Sequence, residues 1–356
     1  MRHRFPAIAA IVAVIAVACG GAATPSTAPT ASAAGTGSAA AATQPPAAKL
    51  SIMVGGMAKQ IYLPNKLTEA LGYFQEQNLT VDLIDEPSGK DTTVEVVAGN
   101  VDIGSGSYDH TIDIAAQGKS IQMITLLLQA PGEAVLVSKQ KAATIKSPKD
   151  WKGLNAGVTS LGSGTHTIMR ALSVKAGLQI SDVNYVAAGA GDSFITQMKQ
   201  GKIDIGITTQ PTVLRLLQSG DAQMHVDLFT PDSTKASLGG DYPFISLFAK
   251  ADYIAKNPEI VQRVVNAYVK TLKWIGSHTP TEIADKLPAD YYGGDKAAYV
   301  QALTDSMKMF SPDGKMPAGA PEFVLGVLKQ FNTAVQAAPS IDLSKTYTND
   351  FVSKAK

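Results

Sequence analysis

Cysteine is almost absent: Cys19 is the only one in 356 residues. A single thiol removes intrachain disulfides, cysteine-metal sites and paired-thiol chemistry from whatever folds after it. Neither sign of charge is in excess, with 31 Lys and Arg against 30 Asp and Glu, a net +1. Such a balance argues against nucleic acid, whose binding is dominated by basic surface. Histidine is scarce too. Beyond His3 there are only His110, His166, His225 and His278, and no two stand at the i,i+4 spacing of a helical metal motif. Gly118-Lys119-Ser120 has the end of a phosphate-binding loop but Asp113 where its first glycine belongs. Ser163 and His166 lie close in sequence without a nucleophile-elbow pattern around them. After the first twenty residues no apolar run approaches the roughly 20 residues that cross a bilayer. These gaps leave little room for an enzyme, and neither a metal nor a cofactor is expected.

The amino end carries the strongest local signal. Arg2 and Arg4 precede an unbroken apolar run, Ala7 to Ala18. A charged start, a short apolar middle and a small-residue exit form a secretory signal. The exit reads Ala16-Val17-Ala18-Cys19-Gly20, similar to a bacterial lipobox whose cysteine receives a lipid, although Ala16 stands where leucine is usual. Ala-x-Ala also suits ordinary signal peptidase. The one cysteine sits where lipidation would consume it, which favours an exported protein anchored to the membrane on its extracytoplasmic face through Cys19. Gly20 to Ala47 hold only Ala, Thr, Ser, Pro, Gly and Gln44, without a charge or an aromatic. Such a stretch buries no core, so residues 19–48 are expected to be a disordered tether after a signal peptide at 1–18. Without Arg2 and Arg4 the remaining chain has 29 basic and 30 acidic residues.

From Lys49 onward strand-like and helix-like stretches alternate. LSIMV (50–54), LTVDLI (79–84) and VDIGSG (101–106) read as strands, whereas Tyr62–Phe74 and Thr92–Ala98 carry helical spacing. Alternation of this kind implies an α/β fold with helices on a largely parallel sheet. The pattern then recurs. In GNVDIGSG (99–106) and GKIDIGIT (201–208), Gly99, Asp102, Ile103 and Gly104 match Gly201, Asp204, Ile205 and Gly206. Gly118 matches Gly220 at the same separation of 102 residues, and upstream Val81 and Gly89 match Val183 and Gly191. Glycine before a strand is a common helix stop. A shared register over several positions points further, to two lobes of similar build.

Ligands of α/β sheets sit beyond the carboxyl ends of the strands, and six small polar loops fall there. The first lobe offers Gly55-Gly56-Met57, Pro87-Ser88-Gly89 and Ser105 to Asp109; the second offers Thr159 to His166, Gly189 to Asp192 and Thr208 to Pro211. Glycine admits close approach, and free N–H groups at helix starts are ready donors. Each loop alone reads equally well as an N-cap; six converging on one crevice read as a binding site. The candidate ligand-binding residues are Gly56, Met57, Tyr62, Ser88, Ser107, Tyr108, Asp109 and Gln129, with Ser160, Ser163, Gly164, Thr165, His166, Asp192, Thr209, Gln210 and Tyr242. Ser107, Tyr108 and Asp109 face Ser163, Gly164 and Thr165 as two expected jaws.

ALGYFQEQNLTVDLI (70–84), AGNVDIGSGS (98–107), SPKDWKGLNAGVTSLGSGTHTIMRALSVKAGL (147–178) and GKIDIGITTQP (201–211) follow one another in order, with YTNDFV (347–352) near the end. Together they resemble the substrate-binding proteins of ABC importers in the nitrate/sulfonate/taurine and thiamine-pyrimidine-precursor family. The resemblance covers most of Lys49 to Lys356. It implies a type II periplasmic-binding-protein fold, two similar lobes with a ligand cleft and a two-strand hinge. Lobe one would comprise 49–137 plus 246–356 and lobe two 138–245, with crossings near Val135–Lys139 and Tyr242–Phe248. The implied activity is capture of a small-molecule solute by a monomer and its delivery to an ABC permease and ATPase. Fungal relatives that make the thiamine pyrimidine ring carry a cysteine-rich motif that Cys19 alone cannot supply. The alternatives are such a biosynthetic enzyme and a non-transport sensor or surface lipoprotein.

The loops contain no arginine, the usual bidentate partner of oxyanions, while Lys59 and Lys90 lie near them. Asp109 and Asp192 would oppose an inorganic anion, and Tyr62, Tyr108, Phe194 and Tyr242 could stack on a flat ligand. A small organic solute, heteroaromatic or sulfonate-like, is expected over nitrate. Ile260–Ile275 and Phe323–Ala337 are expected to be amphipathic helices that pack on lobe one and brace the hinge, with Trp274 in the core.

Overall fold

The computed structural model describes residues 45–355 other than 293–294; the expectations for the signal peptide, Cys19 and nearly all of the tether fall outside them. Ten strands are present: β1 (Ala48–Val54), β2 (Leu79–Asp85), β3 (Ile103–Ser107), β4 (Ile121–Leu126), β5 (Glu133–Ser138), β6 (Asn155–Val158), β7 (Asn184–Ala187), β8 (Ile205–Thr209), β9 (Ala222–Leu228) and β10 (Ile245–Lys250). They form two five-stranded sheets with the orders β2-β1-β3-β10-β4 and β7-β6-β8-β5-β9. In the first, β1 runs parallel to β2 and β3, and β10 is antiparallel to β3 and β4. The second repeats this, with β6 parallel to β7 and β8 and β5 antiparallel to β8 and β9. Helices cover the sheets, so the central strands are buried on both faces, as the apolar run of β1 requires.

Each sheet draws its antiparallel strand from outside its own run of four. β5 enters the second sheet before β6, and β10 returns to the first after β9. This corrects one expectation. Val135–Lys139 is not a crossing, because β5 pairs with β8 and β9 over its whole length. The chain passes between sheets at 127–132 instead, ahead of β5, and the expected boundary at 137/138 lies inside that strand. The return comes at 239–244, after the helix Pro231–Leu238 and before β10, so only 242–244 of the expected crossing Tyr242–Phe248 belong to it and the expected boundary at 245/246 lies inside β10. The passing segments are tied together: Phe244 N–H donates to Leu128 O at 2.9 Å, and Leu127 and Leu128 N–H both donate to Ile245 O, at 2.8 and 2.9 Å.

The repeated Asp-Ile-Gly does the same work in each sheet. Asp102 Oδ2 accepts from Ser51 N–H at 2.8 Å, and Asp204 Oδ2 accepts from Asn155 N–H at 2.9 Å. A carboxylate just ahead of the third strand thereby satisfies a backbone donor of the neighbouring parallel strand, immediately before the ladder between them begins. The glycine that follows makes room for an aromatic ring. A Cβ on Gly104 would stand 2.5 Å from Phe248 Cε2, and one on Gly206 would stand 2.6 Å from Phe194 Cζ. Both rings are fully buried.

The first amphipathic stretch forms one helix, Pro258–Ser277, whose buried face includes Val261, Val265, Tyr268 and Leu272. Tyr268 donates to Asn65 Oδ1 at 2.8 Å, and the Thr68 and Thr271 hydroxyls meet at 2.7 Å, which locks this helix onto the first sheet's covering layer. The second stretch is two helices, Ala320–Leu328 and Thr333–Ala337. Between them Phe331 O accepts from Arg170 Nη2 at 2.6 Å while the guanidinium lies over the Phe331 ring. Asn332 Nδ2 donates to Asp113 Oδ1 at 2.8 Å. This break is therefore held by helices from both halves. Trp274 is half-buried and stacks on His278 at 3.8 Å, at the core's margin.

Candidate functional site

The carboxyl ends of β1, β2, β6, β7 and β8 face one another, and the polar loops after them enclose a cleft of about 670 Å³. Its walls come from both halves. Gly56, Lys59, Pro87 and Ser88 stand on one side, with Thr159, Ser160, Gly189–Asp192 and Thr209–Thr212 on the other. A narrow inner pocket of about 20 Å³ continues from it, sharing Lys59, Ser88, Thr159 and Thr209 and adding Tyr62, Ser107, Glu133, Ser163, Gly164, Thr165 and Phe244. The halves touch across the opening. Gln60 N–H donates to Gln210 O at 3.0 Å, and Lys90 Nζ donates to Leu161 O at 3.0 Å.

Of the candidate residues, Tyr62, Ser107, Ser163, Gly164 and Thr165 line the inner pocket, Gly56, Ser160, Asp192 and Gln210 line the outer cleft, and Ser88 and Thr209 line both. Ser163 caps the helix Gly164–Lys175 by accepting from His166 N–H, and its hydroxyl also meets Thr165 Oγ1 at 2.8 Å. The Gln210 side chain accepts from Leu214 N–H at 3.0 Å, in the first turn of the helix Thr212–Gln218. Asp192 is well exposed and pairs with Arg215 at 2.7 Å.

Six candidates line neither cavity. Tyr108 is fully buried with its hydroxyl 2.6 Å from Thr346 Oγ1. Asp109 and Tyr242 are buried behind the pocket and 3.5 Å apart through a hydroxyl-carboxylate contact. Gln129 donates through its side chain to Lys308 O, and Met57 O accepts from Tyr291 Oη. The His166 ring turns sideways: its Nδ1 accepts from Gly162 N–H at 2.9 Å, and the ring lies edge-on to Tyr185. Of the first expected jaw, then, only Ser107 lines the pocket, while the second jaw is present in full.

His166 is held neutral down to about pH 4, chiefly by burial, with the Arg170 and Lys90 charges adding to it. Protonation would cost it the Gly162 hydrogen bond. The unfolded histidine takes up a proton near pH 6.5, so this contribution to stability is complete above that pH and is lost as pH falls toward 4. Thermal melts across this window should show the wild-type midpoint falling more steeply than that of H166N, which keeps an acceptor without titrating.

Sequence reasoning missed Glu133, Phe244, Arg215 and the tyrosine cluster Tyr291, Tyr292 and Tyr299, and it named Lys59 without placing it. Loss of solvent around the half-buried Lys59 pushes it down to about 8, against the opposing pull of Glu133, Asp85 and Asp91. Its Nζ donates to Gly55 O at 2.8 Å and Pro87 O at 2.9 Å. Burial likewise raises the Glu133 carboxyl well above the usual carboxylate range, with Lys59 opposing the rise and Asp109 adding to it. A visible signal existed for Glu133: it is the one acid at the head of the apolar run EAVLV, where a buried strand has no ordinary use for a charge. Among the described residues no cluster of His, Cys, Asp or Glu is arranged to hold a metal ion, and no helix is long and apolar enough to cross a membrane.

Residues 64–282 match the profile of the NMT1/THI5 like family. The chain belongs to that family. A solved structure from Bordetella bronchiseptica is 35% identical and superposes with a TM-score of 0.81, covering 86% of this chain and 96% of that one. The alkanesulfonate-binding protein SsuA from Xanthomonas axonopodis, bound to MOPS, shares the fold at a TM-score of 0.67 and 15% identity, over 84% of this chain and 98% of its own. Among curated proteins, the 4-amino-5-hydroxymethyl-2-methylpyrimidine phosphate synthase THI13 of Saccharomyces cerevisiae is 23% identical over 232 residues, 64% of this chain and 67% of that enzyme. The NMT1/THI5-like chain thus has the periplasmic-binding-protein fold in its type II arrangement, two sheets of matching order joined by two passages.

Proposed function

We propose that this chain is an extracytoplasmic solute-binding protein that captures a small organic solute between its halves and delivers it to an ABC importer. The observation that carries the reading is the cleft itself, about 670 Å³ with walls from both halves. That volume lies in the range of small-molecule sites, and a ligand touching both halves favours the closed form over the open one. The hinge is the pair of passages at 127–132 and 239–244, each short and hydrogen-bonded to the other. One half is 49–126 plus 245–355, and the other 133–238. A lipid on Cys19 would hold the protein near its permease, and a Cys19→Ala chain should move from the membrane fraction to the soluble one.

The relative SsuA is named for binding alkanesulfonates, which supports solute capture. The yeast relative is named as a synthase, so the second reading is a pyrimidine-forming enzyme. Native mass spectrometry of the purified protein decides between them. A solute carried through purification and recovered unchanged is the expected result; its conversion to a product on incubation would establish the enzyme.

A further inference from the structure

The inner pocket and its back wall gather two buried carboxyl groups, each with an oxygen left unpartnered. Glu133 is 1% exposed and lines this pocket, and its Oε2 has no hydrogen-bond partner. Asp109, also 1% exposed, lies behind it with Oδ1 equally unpartnered. Lys59 is the nearby cation, yet its ammonium group is occupied by the Gly55 and Pro87 carbonyls, and no Lys59–Glu133 ion pair forms among the described residues. A buried carboxyl without a partner is costly unless something arrives to satisfy it. The hydroxyls of Ser88, Ser107, Thr159, Ser163, Thr165 and Thr209 also line the pocket, and hydroxyls accept as readily as they donate.

We propose that the inner pocket takes the ammonium end of an organic cation, with Glu133 as its counter-ion and the rest of the solute in the outer cleft. This deepens the solute-binding reading and rests on it. Size agrees with charge: about 20 Å³ is close to the 10–15 Å³ a single water needs, enough for an –NH₃⁺ and too little for a sulfonate with three oxygens. The charge also changes hands in a defined way. Empty, burial pushes Glu133 toward its protonated form; an entering ammonium favours the carboxylate, and the proton this displaces passes to the buffer. Four titratable groups face Glu133. Tyr62 and Tyr242 are raised by burial and stay neutral, Asp109 adds negative charge, and Lys59 titrates at about 8, so the measurement belongs at pH 6.5–7.5.

The experiment is calorimetric titration of the purified chain with ethanolamine and putrescine, and separately with methanesulfonate and nitrate, in two buffers of different ionisation enthalpy. At least one amine should bind with release of up to one proton, and Glu133→Gln should weaken it at least about 30-fold and abolish the release. Glu133→Asp should weaken binding but keep the release, a contrast that a merely misfolded variant cannot produce. Failure of both amines, or equal affinity for Glu133→Gln, overturns the assignment. If an anion then binds tightly, the cation assignment falls and the solute-binding reading stands.

Discussion

Phe248→Ala and Phe194→Ala should each destabilise the protein by about 3–5 kcal/mol, up to half or more of what a typical domain possesses. Each ring is fully buried against a glycine of the repeated Asp-Ile-Gly, Phe248 over Gly104 and Phe194 over Gly206. A Cβ on Gly104 would meet Phe248 Cε2 at 2.5 Å and Val96 Cγ2 at 2.8 Å. Gly104→Ala alone is therefore overpacked, a change that costs about 1–3 kcal/mol. Combined with Phe248→Ala, the same methyl enters space the ring has vacated. The double variant should be more stable than the sum of the two losses, with a coupling of about 1 kcal/mol or more. Chemical denaturation of the four proteins measures this. Strict additivity would mean that ring and glycine do not share the site.

The second large effect should appear in closure, leaving the fold intact. Gly164 opens the helix Gly164–Lys175 on one side of the inner pocket. A Cβ there would stand 2.8 Å from Ser107 Oγ on the opposite side and 2.6 Å from Phe244 Cζ in the returning passage. Within its own helix nothing forbids a side chain, since its φ is not among the positive ones. Gly164→Val is thus harmless in an open protein and strained in a closed one. An overpacking cost of about 1–3 kcal/mol falls on the closed state alone and should weaken solute binding by roughly 5- to 150-fold. Small-angle scattering should find the variant more extended than wild type, with its melting midpoint nearly unchanged. Wild-type dimensions together with wild-type affinity would show that closure does not bring Gly164 onto Ser107.

The sequence made the repeat legible because each half needs a carboxylate for a backbone donor of the neighbouring strand and a glycine under a ring, at the same spacing. Asp102 with Gly104 and Asp204 with Gly206 are the visible trace of that need. The cleft loops were legible for a related reason, since strand ends that approach one another select small residues. The first passage was not. EAVLV reads as an apolar strand whichever sheet takes it, and only pairing with β8 and β9 assigns it. Tyr108 and Tyr242 were drawn to the site by adjacency, yet their rings pack inward because alternate residues of a chain entering a helix or strand face opposite ways. Tyr291, Tyr292 and Tyr299 reach the cleft from a part of the chain far beyond any of its loops, and no local pattern announces that. Glu133 and Lys59 owe their character to burial, which exists only once both halves are assembled.

One of the two contacts joining the rims runs from the Gln60 amide to the Gln210 carbonyl, backbone to backbone. Any residue but proline can supply the first group, and every residue supplies the second. A lineage can therefore exchange the side chains that choose the cargo while the clasp survives each substitution. Such a fold is easily retuned to new ligands, because selection for what is bound and selection for shutting act on different atoms.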